Sequence, residues 1–296
     1  QQRVSPGRLD AETLQAEWVR RGILRAEDRR RWGRLPERYG RGEAAEDARR
    51  VARGGREWPR AAARLARHPA AALPALRGAF RPARKGPSGL RIGRLLCALG
   101  DGGPVSFLLD NTAQRTATRL PPPRRRTLRV PPEHGWAPEP AYSLYAVGLA
   151  GAGARAAEVM TRLARRIPDD AALYADPKRS PFEYVRTICA VAERCPGVAL
   201  RAPLEELLRK SSLRNQDVSF TRDVRRANDP VAERRAWLEM AIGRALARCG
   251  DARGLDILRR YRDDVRGPLA RSAEEELRDL AAAGFAKTIP WKRRID

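Results

Sequence analysis

The sequence predicts an all-α fold in which helices follow one another in pairs. Between residues 229 and 284, apolar residues recur with the one-sided spacing of amphipathic helices. Gly250, Gly267 and Gly284 divide this stretch into three helices of similar length, because glycine is the residue that most often follows a helix end. No run of alternating apolar and polar residues indicates a β-strand. These observations together predict helices joined by tight turns.

The same unit recurs earlier in the chain as an apolar helix, a tight turn and a second amphipathic helix. The predicted turns lie near residues 68, 101, 152, 196 and 250. Their spacing is irregular, but it is mostly within reach of the roughly 40–47 residues of HEAT-type helical pairs. Each pair would bury its apolar stripe against its neighbours. The pattern therefore predicts a HEAT-like α-solenoid.

Composition divides this predicted array into blocks. The segment 121–140 is too rich in proline for a helix and is predicted to be an extended linker or surface loop. The predicted divisions are an N-terminal helical segment (1–58), a first helical-repeat block (59–120), the Pro/Arg-rich linker (121–140), a second block (141–284) and a C-terminal tail (285–296).

The net charge of +24 is the strongest compositional signal. The chain has 60 Lys and Arg against 36 Asp and Glu, and only five of the basic residues are lysine. Such a charge suits nucleic acid, an anionic membrane surface or an acidic protein partner. The alternative is that arginine simply takes the place of lysine on solvated helix faces.

The residues that usually carry catalysis or bind metal are few. Two histidines and no closely spaced cysteine pair argue against a zinc site and against a hydrolase triad. The sequence also lacks the glycine-rich motifs of nucleotide-binding loops. We therefore predict no catalytic, cofactor-binding or metal-binding residue. The four cysteines fall within or at the end of apolar helical stripes and are predicted to be small buried thiols: Cys97, Cys189, Cys195 and Cys249.

Two basic clusters with a nearby tryptophan are the candidate contact sites for a partner or for phosphates. Stacking on the aromatic ring and neutralisation by arginine would suit either. The first cluster, in the proline-rich segment, consists of Arg124, Arg125, Arg126, Arg129 and Trp136. The second consists of Arg29, Arg30, Arg31 and Trp32. The alternatives are an ordinary solvated connector for the first and a solvated helix face for the second.

Particular segments resemble known helical proteins. The segment 245–255 (ALARCGDARGL) resembles HEAT-like repeat proteins. Together with 229–234 (DPVAER) and 261–266 (YRDDVR), it is also similar to the helical C-terminal region of some bacterial FAD-dependent oxidoreductases. In that family the flavin lies on a preceding dinucleotide-binding domain. No glycine-rich flavin motif is present, so this resemblance implies a non-catalytic part and assigns no cofactor to this chain.

Three functions remain open from the sequence. The first is a non-catalytic scaffold or subunit that binds a protein partner, such as a flavin-dependent oxidoreductase. The second is a nucleic-acid-binding α-solenoid similar to HEAT-like DNA glycosylases, for which steeply salt-dependent binding is expected. The third is a structural subunit of a larger assembly.

Features that would place the chain in a compartment are sparse. No run approaches the roughly 20 apolar residues that a membrane span needs, and no secretory signal is visible. The chain begins with Gln1 rather than methionine. This start indicates a processed or trimmed product, and we expect a soluble protein with the cytoplasm as the favoured compartment.

Overall fold

The computed structural model describes residues 39–83, 86–117, 138–174, 181–216 and 230–285. Within these ranges the chain forms twelve α-helices and three short 3-10 helices, and it forms no β-strand there. The predicted all-α class is therefore confirmed for the described part of the chain.

The helices group into two compact units. Unit 1 comprises residues 1–118 and 139–152, and unit 2 comprises residues 119–138 and 153–296. The helices of unit 1 are α1 (Arg41–Arg53), α2 (Trp58–Arg67), α3 (Pro69–Ala83), α4 (Pro87–Ala98), α5 (Val105–Ala117) and α6 (Pro138–Leu149, from residue 139 onward).

Unit 2 contains the other six helices and the three 3-10 turns. The helices are α7 (Gly153–Arg166), α8 (Phe182–Arg194), α9 (Arg201–Leu208), α10 (Pro230–Arg248), α11 (Arg253–Arg262) and α12 (Gly267–Ala282). The 3-10 helices are Ala171–Tyr174, Val198–Leu200 and Ser211–Leu213.

The core of unit 1 forms where one face of α1 meets α2, α3 and α4. Ala44, Ala48 and Val51 lie on that face at helical spacing and are buried. Leu65 and Leu76, from α2 and α3, are fully buried in the same cluster. The apolar stripes that are visible in the sequence are thus the surfaces that pack.

A buried ion pair also joins α1 to α2. The Asp47 side chain is buried and accepts hydrogen bonds from Arg64 Nε at 2.6 Å and from the Tyr39 hydroxyl at 2.7 Å. Burial alone would raise the pKa of Asp47, but the hydrogen bonds from Arg64 and Tyr39 outweigh it and lower that pKa. This carboxylate is consequently a structural group.

Some arginines serve the helix ends of unit 1. Arg91 of α4 donates from Nε to the Val51 carbonyl at 2.9 Å and from Nη2 to the Ala52 carbonyl at 2.6 Å. The last carbonyls of a helix have no partner within the helix itself. Arg91 therefore caps the C-terminus of α1 from a position 40 residues further along the chain.

Unit 2 repeats this arrangement. Arg201, at the start of α9, donates to the carbonyls of Cys249 and Gly250, both at 2.8 Å, just after α10. Gly250 has a φ of +78°, a backbone region that glycine enters at little cost. Two of the many arginines thus act as helix caps rather than as solvated charges.

The turn between α10 and α11 brings the two helices into close contact. A Cβ atom placed on Gly254 would lie 2.2 Å from the Gly243 carbonyl oxygen and 2.4 Å from the Ala247 nitrogen. A Cβ atom on Gly243 would in turn meet Ile257. The two helices therefore pack backbone against backbone through Gly243 and Gly254.

A buried carboxylate holds the segment that precedes α10 in sequence. Glu239 is 1% exposed and accepts the backbone N–H groups of Asn215 at 2.8 Å and Gln216 at 2.9 Å. It also accepts the Tyr261 hydroxyl at 2.6 Å and Arg260 Nη2 at 2.5 Å. Both carboxylate oxygens are fully used in joining residues 215–216 to α10 and α11.

The carboxylate of Asp169 caps the 3-10 helix Ser211–Leu213, and it should make unit 2 sensitive to acid. It accepts the backbone N–H groups of Ser211 at 2.8 Å and Ser212 at 2.7 Å. Burial acts to raise its pKa, but these hydrogen bonds lower it to about 2. Its contribution is complete above the ordinary carboxyl pKa near 4 and is lost as the pH falls towards 2.

We expect Asp169→Asn to remove that part of the acid sensitivity. The stability difference between wild type and variant should be largest at neutral pH and should shrink as the pH falls from about 4 to about 2. Urea unfolding of the two proteins at several pH values measures it. A difference that stays constant over this range would contradict the role of Asp169.

Two sequence predictions can be compared directly with the described ranges. The helix α6 begins at Pro138, so the last three residues of the segment 121–140, predicted to be a linker or loop, are helical. Proline is best tolerated in the first turn of a helix, where these residues lie. Cys97, Cys189 and Cys249 are buried free thiols, as predicted, whereas Cys195 is only half-buried. Burial raises the pKa of Cys97 to about 12. The predicted block boundaries stay predictions.

Candidate functional site

The contact residues predicted from sequence all lie outside the described residues. These residues are Arg29, Arg30, Arg31, Trp32, Arg124, Arg125, Arg126, Arg129 and Trp136. More than half of the net charge of +24 likewise belongs to segments outside the described ranges. The described residues offer a different candidate site, a cleft that lies wholly within unit 1.

A half-open cleft of about 380 Å³ lies along α4. Helix α4 supplies the largest share of its lining, and α6 forms a second wall. Trp58 at the start of α2 and Arg115 near the end of α5 complete the rim. A volume of this size is typical of pockets that hold a small ligand or a few side chains of a partner.

Arg94 is the half-buried cation of the cleft. Its Nε donates to the Ser143 hydroxyl at 3.0 Å, and its Nη2 donates to the Glu139 carbonyl at 3.1 Å. Burial lowers its pKa to about 10, so the guanidinium remains charged at neutral pH. The third nitrogen, Nη1, makes no hydrogen bond with a described residue. Arg94 is thus held in place by α6 and keeps donors for a ligand.

Arg115 supplies a second cation at the rim. Its side chain is exposed, and it forms no ion pair or hydrogen bond with any residue in the described part of the chain. Its charge lies near enough to Arg94 to contribute to the lowered pKa of that residue. An anion in the cleft would relieve this repulsion and gain charge-assisted hydrogen bonds.

The walls of the cleft are largely aromatic and aliphatic. Trp58, Tyr142 and Tyr145 are half-buried and line it together with aliphatic residues of α4 and α6. The Arg94 guanidinium lies 5.9 Å from the centre of the Tyr142 ring, which is within cation–π distance. The cleft therefore offers apolar contact beside positive charge.

The balance of charge in the lining favours a negatively charged ligand. Three arginines line the cleft against one carboxylate, Glu139. Of these arginines, Arg91 is committed to the end of α1, while Arg94 and Arg115 retain hydrogen-bond donors. The arrangement has the chemistry of a site for an anion attached to an apolar group.

The sequence does not reveal this cleft, because its lining residues occupy the usual positions of amphipathic helices. Arg91 and Arg94 occupy positions on α4 that read as the polar side of an amphipathic helix. Tyr142 and Tyr145 are three residues apart on α6, as core residues often are. The one available signal was the pairing of a polar tyrosine hydroxyl with otherwise apolar helical positions.

No match was found with known proteins. Comparisons of the chain with protein-family models, with curated proteins and with solved structures all give no match. The resemblances to HEAT-like repeats and to flavoprotein C-terminal regions thus stay hypotheses, and the function must be argued from the geometry of the site.

Two other properties of the described residues concern metal binding and membrane crossing. Among the described residues, no group of three or more His, Cys, Asp or Glu side chains is placed to hold a metal ion. Within the same ranges, no helix has both the length and the apolar character that crossing a bilayer requires.

Proposed function

We propose that the chain is a non-catalytic helical module that binds a protein partner through an acidic segment of that partner. The cleft of unit 1 receives the segment. The most direct support is the convergence of Arg94 and Arg115, both with donors to spare, beside the aromatic wall of Trp58 and Tyr142. This combination of aromatic residues and arginine is typical of the centre of protein interfaces.

We also propose that the helices of the chain form a HEAT-like array of helical pairs. Close antiparallel contact across a glycine turn, as between α10 and α11, supports it. Since HEAT-type arrays bind partners along extended surfaces, such an array suits a scaffold. From the sequence resemblance, a flavin-dependent oxidoreductase is the partner class to examine first.

Binding of nucleic acid along the described helices has less support. The charges there are largely engaged within the protein, as in the pairs Arg64–Asp47 and Arg266–Asp264 and the carbonyl contacts of Arg91 and Arg201. A nucleic-acid groove instead needs arginines that are free to follow a phosphate backbone. Crosslinking to nucleic acid is therefore the alternative outcome of a photo-crosslinking experiment.

Photo-crosslinking from within the cleft tests the proposal. The full chain, carrying p-benzoylphenylalanine in place of Tyr142, is expressed in its source cells, irradiated and isolated. We expect one main crosslinked protein whose attached segment carries an Asp or Glu residue. The control is the same label at Val198, an exposed residue of unit 2. Equal products from both positions, or crosslinked nucleic acid, would overturn the proposal.

Arg115 then tests the role of the cleft with the purified partner. We expect Arg115→Glu to weaken binding at least about tenfold, because it replaces an attractive charge with a repulsive one. Arg271→Glu makes the same change in net charge at an exposed position of α12 in unit 2, and its effect should stay within about twofold. Equal effects of the two substitutions would show that only net charge matters.

A further inference from the structure

A second pocket of about 410 Å³ adjoins the cleft in unit 1. The two share Pro87, Leu90 and Arg115 in their linings. Arg115 therefore lies between two adjoining depressions, which we refer to together as the groove. A groove of this kind suits an extended chain better than a compact small molecule, since a chain can occupy both pockets at once.

The second pocket has the polar groups that a peptide backbone needs. Asn111 and Gln114 lie three residues apart on α5 and so face the same side. Neither amide has a hydrogen-bond partner within the described ranges. Each amide offers both a donor and an acceptor. Asp110 also lines this pocket, and it disfavours a second acidic residue there.

The cleft itself favours a single negative charge. Arg94 and Arg115 offer donors to an anion, while Glu139 contributes a negative charge to the same lining. A phosphate dianion would carry more charge into a partly buried site that already contains a carboxylate, and desolvation would cost it more. A carboxylate, with one charge and two acceptor oxygens, fits this balance better.

On the basis of the proposed function, we propose that the partner segment is an extended peptide in which an apolar residue is followed by glutamate. The apolar side chain lies against Trp58 and Tyr142, and the carboxylate lies between Arg94 and Arg115. The peptide backbone that follows binds Asn111 and Gln114. This pattern specifies which acidic segments the module selects.

Short fluorescein-labelled peptides test the pattern by fluorescence anisotropy with the full chain. The parent peptide is Gly-Ser-Leu-Glu-Gly-Ser-Gly, and its variants replace Leu-Glu with Leu-Gln, Ser-Glu or Leu-phosphoserine. We expect the parent to bind about tenfold more tightly than the Leu-Gln or Ser-Glu peptide. The phosphoserine peptide should also bind more weakly than the parent. Equal affinity of the Leu-Glu and Leu-Gln peptides, or tighter binding of phosphoserine, would overturn the pattern.

Substitutions in the chain test which part of the peptide each pocket of the groove binds. Arg115→Gln should reduce the preference for Leu-Glu over Leu-Gln to about twofold or less, while Arg271→Gln should preserve it. Asn111→Ala combined with Gln114→Ala should weaken both peptides by a similar factor of about five and leave the preference unchanged. If the double variant binds as wild type does, the assignment of the second pocket is wrong.

The peptide result and the crosslinking result can fail separately. If peptides show no preference but Tyr142 still yields one acidic partner, the Leu-Glu pattern is wrong and the proposed function stands. If the peptides show the preference but crosslinking yields no partner, the groove binds its peptide and the partner proposal fails.

Discussion

Replacing Glu239 with alanine is expected to lower the free energy of unfolding of unit 2 by about 3–5 kcal/mol. The substitution removes the shared acceptor of the Asn215 and Gln216 backbone N–H groups. It also removes the buried partner of the Tyr261 hydroxyl and of the Arg260 guanidinium. Losing a buried carboxylate that accepts four hydrogen bonds lowers stability far more than losing an exposed carboxylate, because the four donors cannot all bind water instead. Urea unfolding followed by circular dichroism measures the change.

The matched control is Glu158→Ala on α7. The side chain of Glu158 is 82% exposed, and Arg162 lies 3.7 Å away as an i,i+4 partner. Such a pair contributes little, so the control should change stability by no more than about 0.5 kcal/mol. Hydrogen exchange should also show faster opening at residues 215–216 in Glu239→Ala alone. Equal effects of the two substitutions would mean that the buried network does not hold this segment.

Gly254→Ala is expected to destabilise unit 2 by about 3 kcal/mol. The new Cβ atom would lie 2.2 Å from the Gly243 carbonyl oxygen and 2.4 Å from the Ala247 nitrogen. Both atoms belong to the backbone of α10, so no side-chain rotation can relieve the overlap. The helices α10 and α11 must instead move apart, which opens their packed interface. Thermal and urea unfolding should both report the loss.

Gly78→Ala in α3 provides the control for this prediction. No atom outside its own helical backbone lies within 4 Å of the Cβ position at Gly78. Alanine is the better helix former, so this substitution should stabilise the protein by about 0.5–1 kcal/mol. The same glycine-to-alanine change is thus expected to raise the free energy of unfolding at Gly78 and to lower it at Gly254. A neutral or stabilising Gly254→Ala would contradict the close backbone packing of α10 and α11.

The helices themselves were predictable because their signals are local. Apolar spacing and the glycine at position 250 act within one or two turns of chain. The structure places helices at these positions and confirms the all-α class. The functional clusters at 29–32 and 124–136 stay predictions, since they lie outside the described residues.

The tasks of the arginines could not be predicted, because they depend on contacts that are distant in sequence. Arg91 caps the end of α1 across 40 residues, and Arg201 caps the end of α10 across 48. Arg94 reaches the Glu139 carbonyl across 45 residues. In the sequence, all three are alike as arginines on helix surfaces.

The helical class, the positions of most helices and the positive charge follow from the sequence. The packing of the helices sets which arginines cap helices, which pair with buried carboxylates and which keep donors for a ligand in the cleft of unit 1. The physical reason is that helix formation depends on neighbours three or four residues away. The environment of a charge depends instead on which helix packs beside it.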